Sequence, residues 1–67
     1  MKAEQMTAHV VEICARSRIR IRWIKGYRAR ALGEFFEIEI PPIRSAITYG
    51  TALHEIGHCL ATRRAVL

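Results

Sequence analysis

A chain of 67 residues holds one domain at most, spanning residues 1–67, and at that size folding buries only about 60% of the surface that the unfolded chain exposes. With 51% apolar and 25% charged residues the composition is that of a globular protein and excludes wholesale disorder. The net charge of +5 rests mostly on arginine, and every acidic residue is glutamate; this balance keeps acidic partners, nucleic acid among them, in view and says nothing about fold. So small a core calls for further support from a metal, a partner subunit or more chain. No apolar run approaches the length of a membrane span, and the opening MKAEQMTAHVVEIC lacks the apolar region of a secretory signal, so the expected compartment is the cytoplasm. Cys14 and Cys59 have no CxxC spacing and read as reduced thiols.

Ala3 to Arg16 reads as an amphipathic helix, with Met6, Val10, Ile13 and Cys14 at helical spacing and charged or polar residues opposite. His9 lies beside that stripe, where a surface histidine is the plain reading and a third metal ligand the sharper one. From Arg18 the period becomes two: Arg18, Arg20 and Arg22 alternate with Ile19, Ile21 and Trp23, as in a half-buried strand. Lys25 and Gly26 suggest a turn, after which Tyr27, Ala29 and Ala31 alternate with Arg28 and Arg30 as a second strand, paired to the first as a hairpin. Gly33 interrupts. Glu34 to Ile40 is the third strand, with Phe36, Ile38 and Ile40 on one face and Glu37 and Glu39 on the other, stopped by Pro41 and Pro42.

The arginine face of the hairpin and the glutamate face of the third strand are expected on the same side of a small antiparallel sheet, as cross-strand ion pairs. The competing use of those arginines is a surface for a phosphate backbone, with Trp23 and Tyr27 as stacking platforms, although no nucleic-acid motif is present. Ser45 is the N-cap expected for a last helix from Ala46 to Arg64, whose apolar stripe is Tyr49, Leu53, Ile56 and Leu60. Gly50 and Gly57 are costly inside a helix and suggest close approach of another element. Arg63 and Arg64 suit the negative end of the helix dipole.

The chemistry is concentrated in TALHEIGHCLAT, Thr51 to Thr62. His54 and His58, four residues apart, leave one face of a helix one turn from each other, close enough to grip a single metal ion. Glu55 sits beside that face. In this HExxH arrangement two imidazoles bind Zn²⁺ and the glutamate takes the proton of the water that the metal activates. The histidine face lies nearly opposite the apolar stripe, so the helix can pack its back on the sheet and present both histidines to a cleft. The plainer alternative is two ordinary polar residues on an exposed face.

HEIGHCLA resembles the active-site helix of the zincin metallopeptidases, and the order of helix, small sheet and HExxH helix resembles the N-terminal half of their catalytic domain. The lead-in SAITYGTALHEIGH is also similar to that of short peptidases encoded by phages and proteobacteria and, more loosely, to gluzincins and ImmA/IrrE-type peptidases. The resemblance implies that His54 and His58 are zinc ligands and Glu55 the general base of peptide-bond hydrolysis. It further implies that an edge strand just before the helix, Phe35 to Ile40, binds extended peptide substrate by backbone pairing. The metzincin extension HExxHxxGxxH is absent: Ala61 stands where its glycine would be and Arg64 where its third histidine would be.

A catalytic zinc takes three protein ligands and water, and two are visible. The favoured expectation is a truncated member whose downstream ligand helix lies beyond Leu67. The alternatives are that His9 or a glutamate of the sheet completes the site, or that a second copy donates a ligand across an oligomer interface. Cys59 adjoins His58 and should point away from the metal.

The expected fold is therefore α+β: an N-terminal helix, a three-stranded antiparallel sheet and a C-terminal HExxH helix. The expected activity is zinc-dependent peptide hydrolysis. The rivals are a small basic nucleic-acid-binding or regulatory module, and a zincin fragment that folds but catalyses nothing.

Overall fold

The computed structural model describes residues 1–66 and is α+β, running helix α1 (Ala3–Ser17), strand β1 (Arg20–Trp23), strand β2 (Arg30–Leu32), a single 3-10 turn (Gly33–Phe35), strand β3 (Glu37–Ile40) and helix α2 (Ala46–Val66). α1 buries Met6, Val10 and Cys14, the i, i+4 stripe legible in its sequence. It ends in a Schellman turn: the Ile19 N–H donates to the Cys14 carbonyl at 2.8 Å and the Arg18 N–H to Ala15 at 3.3 Å, with Arg18 left-handed at φ 57°. That reversal drops Ile19 into the core and starts β1.

The sheet differs from the expected hairpin meander. Its order is β1-β3-β2, with β3 parallel to β1 and antiparallel to β2, so the first two strands do not pair and the sheet is mixed. Charge supplies a physical reason. A β1–β2 hairpin would set arginines opposite arginines, whereas the observed order places the glutamate strand between them. Arg20 and Arg22 of β1 face Glu37 and Glu39 at 3.9 and 3.7 Å, and Arg30 of β2 donates to Glu39 from the other side. The expectation of ion pairs on one sheet face is thus met through a different topology. Apolar burial favours the same order, because Ile38 and Ile40 are sealed at 0% and 1% exposure, as the middle strand of a sheet covered by helices should be.

The third strand is also shorter than expected, beginning at Glu37. Gly33 lies against α2, where a Cβ would come within 2.5 Å of the Thr62 Oγ1 and 2.8 Å of its Cβ, so any larger residue would force the turn or the helix to shift. The chain then turns through Phe36 at φ 50°, whose ring lies 4.3 Å beneath the Arg63 guanidinium. Arg63 also donates to the Ser17 carbonyl at 2.6 Å, tying the end of α1 to the turn. Arg63 thus does more than complement the helix dipole.

α2 begins where its cap predicts. The Thr48 N–H donates to the Ser45 Oγ at 3.3 Å and the Ser45 N–H to the Thr48 Oγ1 at 3.0 Å, a reciprocal cap at N-cap and N3. Its innermost side chains are Ala52, Ile56 and Cys59, with Tyr49, Leu53 and Leu60 partly buried along one flank. Both helices share one core with Ile38 and Ile40, on the sheet face away from the ion pairs. Among the described residues no helix is long and apolar enough to cross a membrane.

Candidate metal centre

The i, i+4 spacing on α2 does what the sequence implies. His54 and His58 are exposed, their rings meet edge to face with centroids 4.4 Å apart, and their Nε2 atoms lie 2.9 Å from one another. Two imidazole nitrogens binding one tetrahedral zinc at the usual bond lengths stand about 3.3 Å apart. A small rotation of either ring opens the pair to that separation. The residues present therefore fit a zinc ion as a two-nitrogen clamp.

Glu55 follows 100° around the helix from His54, toward the interior. It exposes only 9% of its surface, yet among the described residues no hydrogen bond or ion pair holds its carboxylate. Among the described residues no fully buried side-chain oxygen lacks a partner, so the carboxylate keeps contact with water. The carboxylate thus lies on the core side of the histidine face, near enough to the buried Cys59 for its charge to act on that thiol.

The further ligands considered from sequence are not brought to the clamp. His9 Nδ1 hydrogen-bonds the Tyr49 hydroxyl, and Tyr49 precedes His54 by five residues, about 140° away around α2 on the flank that meets α1. Glu37 and Glu39 belong to the outer sheet face, engaged with arginines. Among the described residues no group of three metal-ligating side chains forms. Cys59, expected to point away, does so: it is fully buried and its thiol donates to the Glu37 carbonyl at 3.5 Å.

The expected substrate edge at Phe35 to Ile40 is overturned. β3 is the central strand, hydrogen-bonded on both sides, and the segment before it is the 3-10 turn, so no extended peptide can pair there. A cavity of about 390 Å³ lies between the 24–27 loop, the two prolines and the start of α2, and neither histidine lines it.

The charged groups around the core are structural in character. The Arg30 guanidinium, by its hydrogen bond, holds the Glu39 carboxyl below the usual carboxylate range, with help from the nearby charge of Arg22. Burial, reinforced by the neighbouring Cys59, pushes the Cys14 thiol up to about 11, and burial raises Cys59 as well. Neither is an activated nucleophile. Comparisons of this chain with protein-family models, with curated proteins and with solved structures find no match.

Proposed function

We propose that this chain is a zinc-dependent hydrolase of peptide bonds, in which His54 and His58 hold the metal and Glu55 carries protons. The observation that supports this most is the convergence of two Nε2 atoms, 2.9 Å apart on the solvent side of α2, with the next residue, Glu55, a sheltered carboxylate that no other group among the described residues engages. Zinc at such a position supplies Lewis acidity, which makes water nucleophilic near neutral pH and polarises a carbonyl. His54 and His58 serve it as neutral imidazoles, with Nε2 unprotonated and the ring proton on Nδ1. Glu55 accepts the proton of the attacking water and returns it to the leaving amine. The substrate is a peptide or protein, and the two reduced thiols suit a cytoplasmic setting.

The test has two parts. Zinc should survive gel filtration with the parent chain and be lost from His54→Ala and His58→Ala; a parent chain that retains no zinc rejects the site. Glu55→Gln should keep the zinc and lose hydrolysis of a peptide library, and retained hydrolysis removes Glu55 from its role.

The rival, a basic nucleic-acid-binding module, draws less support. Of the arginines it would use, Arg20, Arg22, Arg28 and Arg30, three flank Glu37 and Glu39 as ion pairs, which offsets part of the field a phosphate backbone would feel, while Arg28 is exposed. Salt-sensitive binding to single-stranded RNA or DNA that is indifferent to chelators and lost on neutralising those arginines would reverse this preference.

A further inference from the structure

The outer side of α2 carries a pattern that the core does not use. Ile47, Gly50, His54, Gly57 and Ala61 recur at alternating intervals of three and four, which keeps them on one line along a helix. All are exposed, Ile47 at 81%. The two glycines were expected to mark close approach of another element, and within the chain they do not: a Cβ on Gly50 or Gly57 meets no atom within 4 Å. Glycine is a poor residue for a helix interior, and nothing in this fold requires it at either position.

His54 lies on this line and His58 at its edge, so the metal clamp shares the face. His54 and His58 supply two nitrogens where tetrahedral zinc takes four ligands, and the described residues bring no third. A two-fold interface repeats the same surface on both partners, so it doubles whatever ligands lie on it. Two and two make four.

We infer that α2 pairs through this face with α2 of a second copy, antiparallel and centred on the His54–His58 clamp, so that four imidazoles close one zinc site between the chains. The inference rests on the reading that the pair binds zinc. Gly50 and Gly57, about one turn to either side of His54, let the helix backbones approach closely enough for both clamps to reach one ion. Four nitrogens leave no position for water. The paired state is therefore the closed, hydrolytically silent form of the centre, and hydrolysis belongs to the chain whose clamp is open.

Analytical ultracentrifugation of the whole chain during a zinc titration tests this. The expected result is a shift from one-chain to two-chain mass that saturates at one zinc per two chains and reverses with EDTA, with four nitrogen neighbours in the zinc X-ray absorption spectrum. Gly57→Leu has room in the single chain, since no atom lies near the added Cβ, and should keep the helix while losing the zinc-driven dimer. Zinc bound to a chain that stays monomeric overturns the pairing and leaves the clamp standing. A chain that retains no zinc overturns both, and a dimer that forms equally in EDTA, or equally with Gly57→Leu, overturns the shared site.

Discussion

Three glycines in contact with, or part of, α2 are predicted to respond to the same substitution with opposite signs. At Gly50 and Gly57 an added methyl enters open solvent, so alanine changes only the helix propensity and the freedom of the unfolded chain. Each replacement should stabilise the chain by up to about 1 kcal/mol. For a domain of this size that is a rise in Tm of roughly 4–8 °C. The sites are two turns apart and share no partner, so the double variant should approach the sum. Gly33→Ala runs the other way. Its Cβ would lie 2.5 Å from the Thr62 Oγ1, which donates to the His58 carbonyl, and 2.8 Å from the Thr62 Cβ, which the helix backbone holds in place. Either the 3-10 turn or the end of α2 must move, at a cost of about 1–3 kcal/mol. Thermal melts followed by circular dichroism, on dilute chain in EDTA so that metal and self-association do not enter, measure all three. A fall in Tm for Gly50→Ala or Gly57→Ala would mean that something packs on the outer face of the isolated chain. An unchanged Tm for Gly33→Ala would remove the contact that holds the turn to α2.

Arg18 occupies the left-handed position of the Schellman turn that glycine usually fills, so Arg18→Gly should raise Tm by a few degrees, about 0.5–1 kcal/mol, and a lower Tm would show that the arginine side chain has an unrecognised role. Because Arg30 holds the Glu39 carboxyl below its unfolded value, its stabilisation is complete above about pH 4.3 and is lost as pH falls through the folded pKa. Urea unfolding of Glu39→Gln should accordingly show a flatter acid limb below that pH than the parent, and parallel limbs would discard the assignment. With Cys14 pushed up to about 11 and Cys59 also raised by burial, neither thiol should react with an aromatic disulfide reagent at pH 8 in native buffer, and both should react in denaturant; one fast native thiol would mean that the packing between α1 and α2 opens.

The helices were legible because their information is local. Met6, Val10 and Cys14 repeat at helical spacing, Ser45 and Thr48 write the cap of α2, and an i, i+4 histidine pair needs nothing but the helix to converge. The strand order was not legible from periodicity, since alternation assigns a face to each side chain and leaves its neighbour open. A clue was nonetheless present in the charges. Strands with arginines at 20, 22 and 30 and a strand with glutamates at 37 and 39 satisfy more pairs when the acidic strand lies in the middle, whereas the turn signal at Lys25 and Gly26 points to a hairpin that the fold does not form. The Gly33–Thr62 contact joins residues far apart in sequence, and no local pattern announces it.

The two sides of α2 make opposite demands on stability, and the contrast bears on function. Inward, Ala52, Ile56 and Cys59 are packed without waste, in a chain whose small core has little to spare. Outward, the same helix carries two glycines with no steric need, a large apolar side chain at Ile47 and two adjacent imidazoles, where alanine, glutamate or lysine would stabilise it more. Local choices that disagree with the fold while the rest of the chain agrees with it are the mark of a site under another constraint. Histidine alone would not establish this, because exposed histidines are common. Glycines a turn to either side of His54, on the same line, turn the departure into a surface shaped for close approach. A metal held by four imidazoles from two such surfaces would give back, through the association it drives, part of the helix stability that each chain lacks on its own.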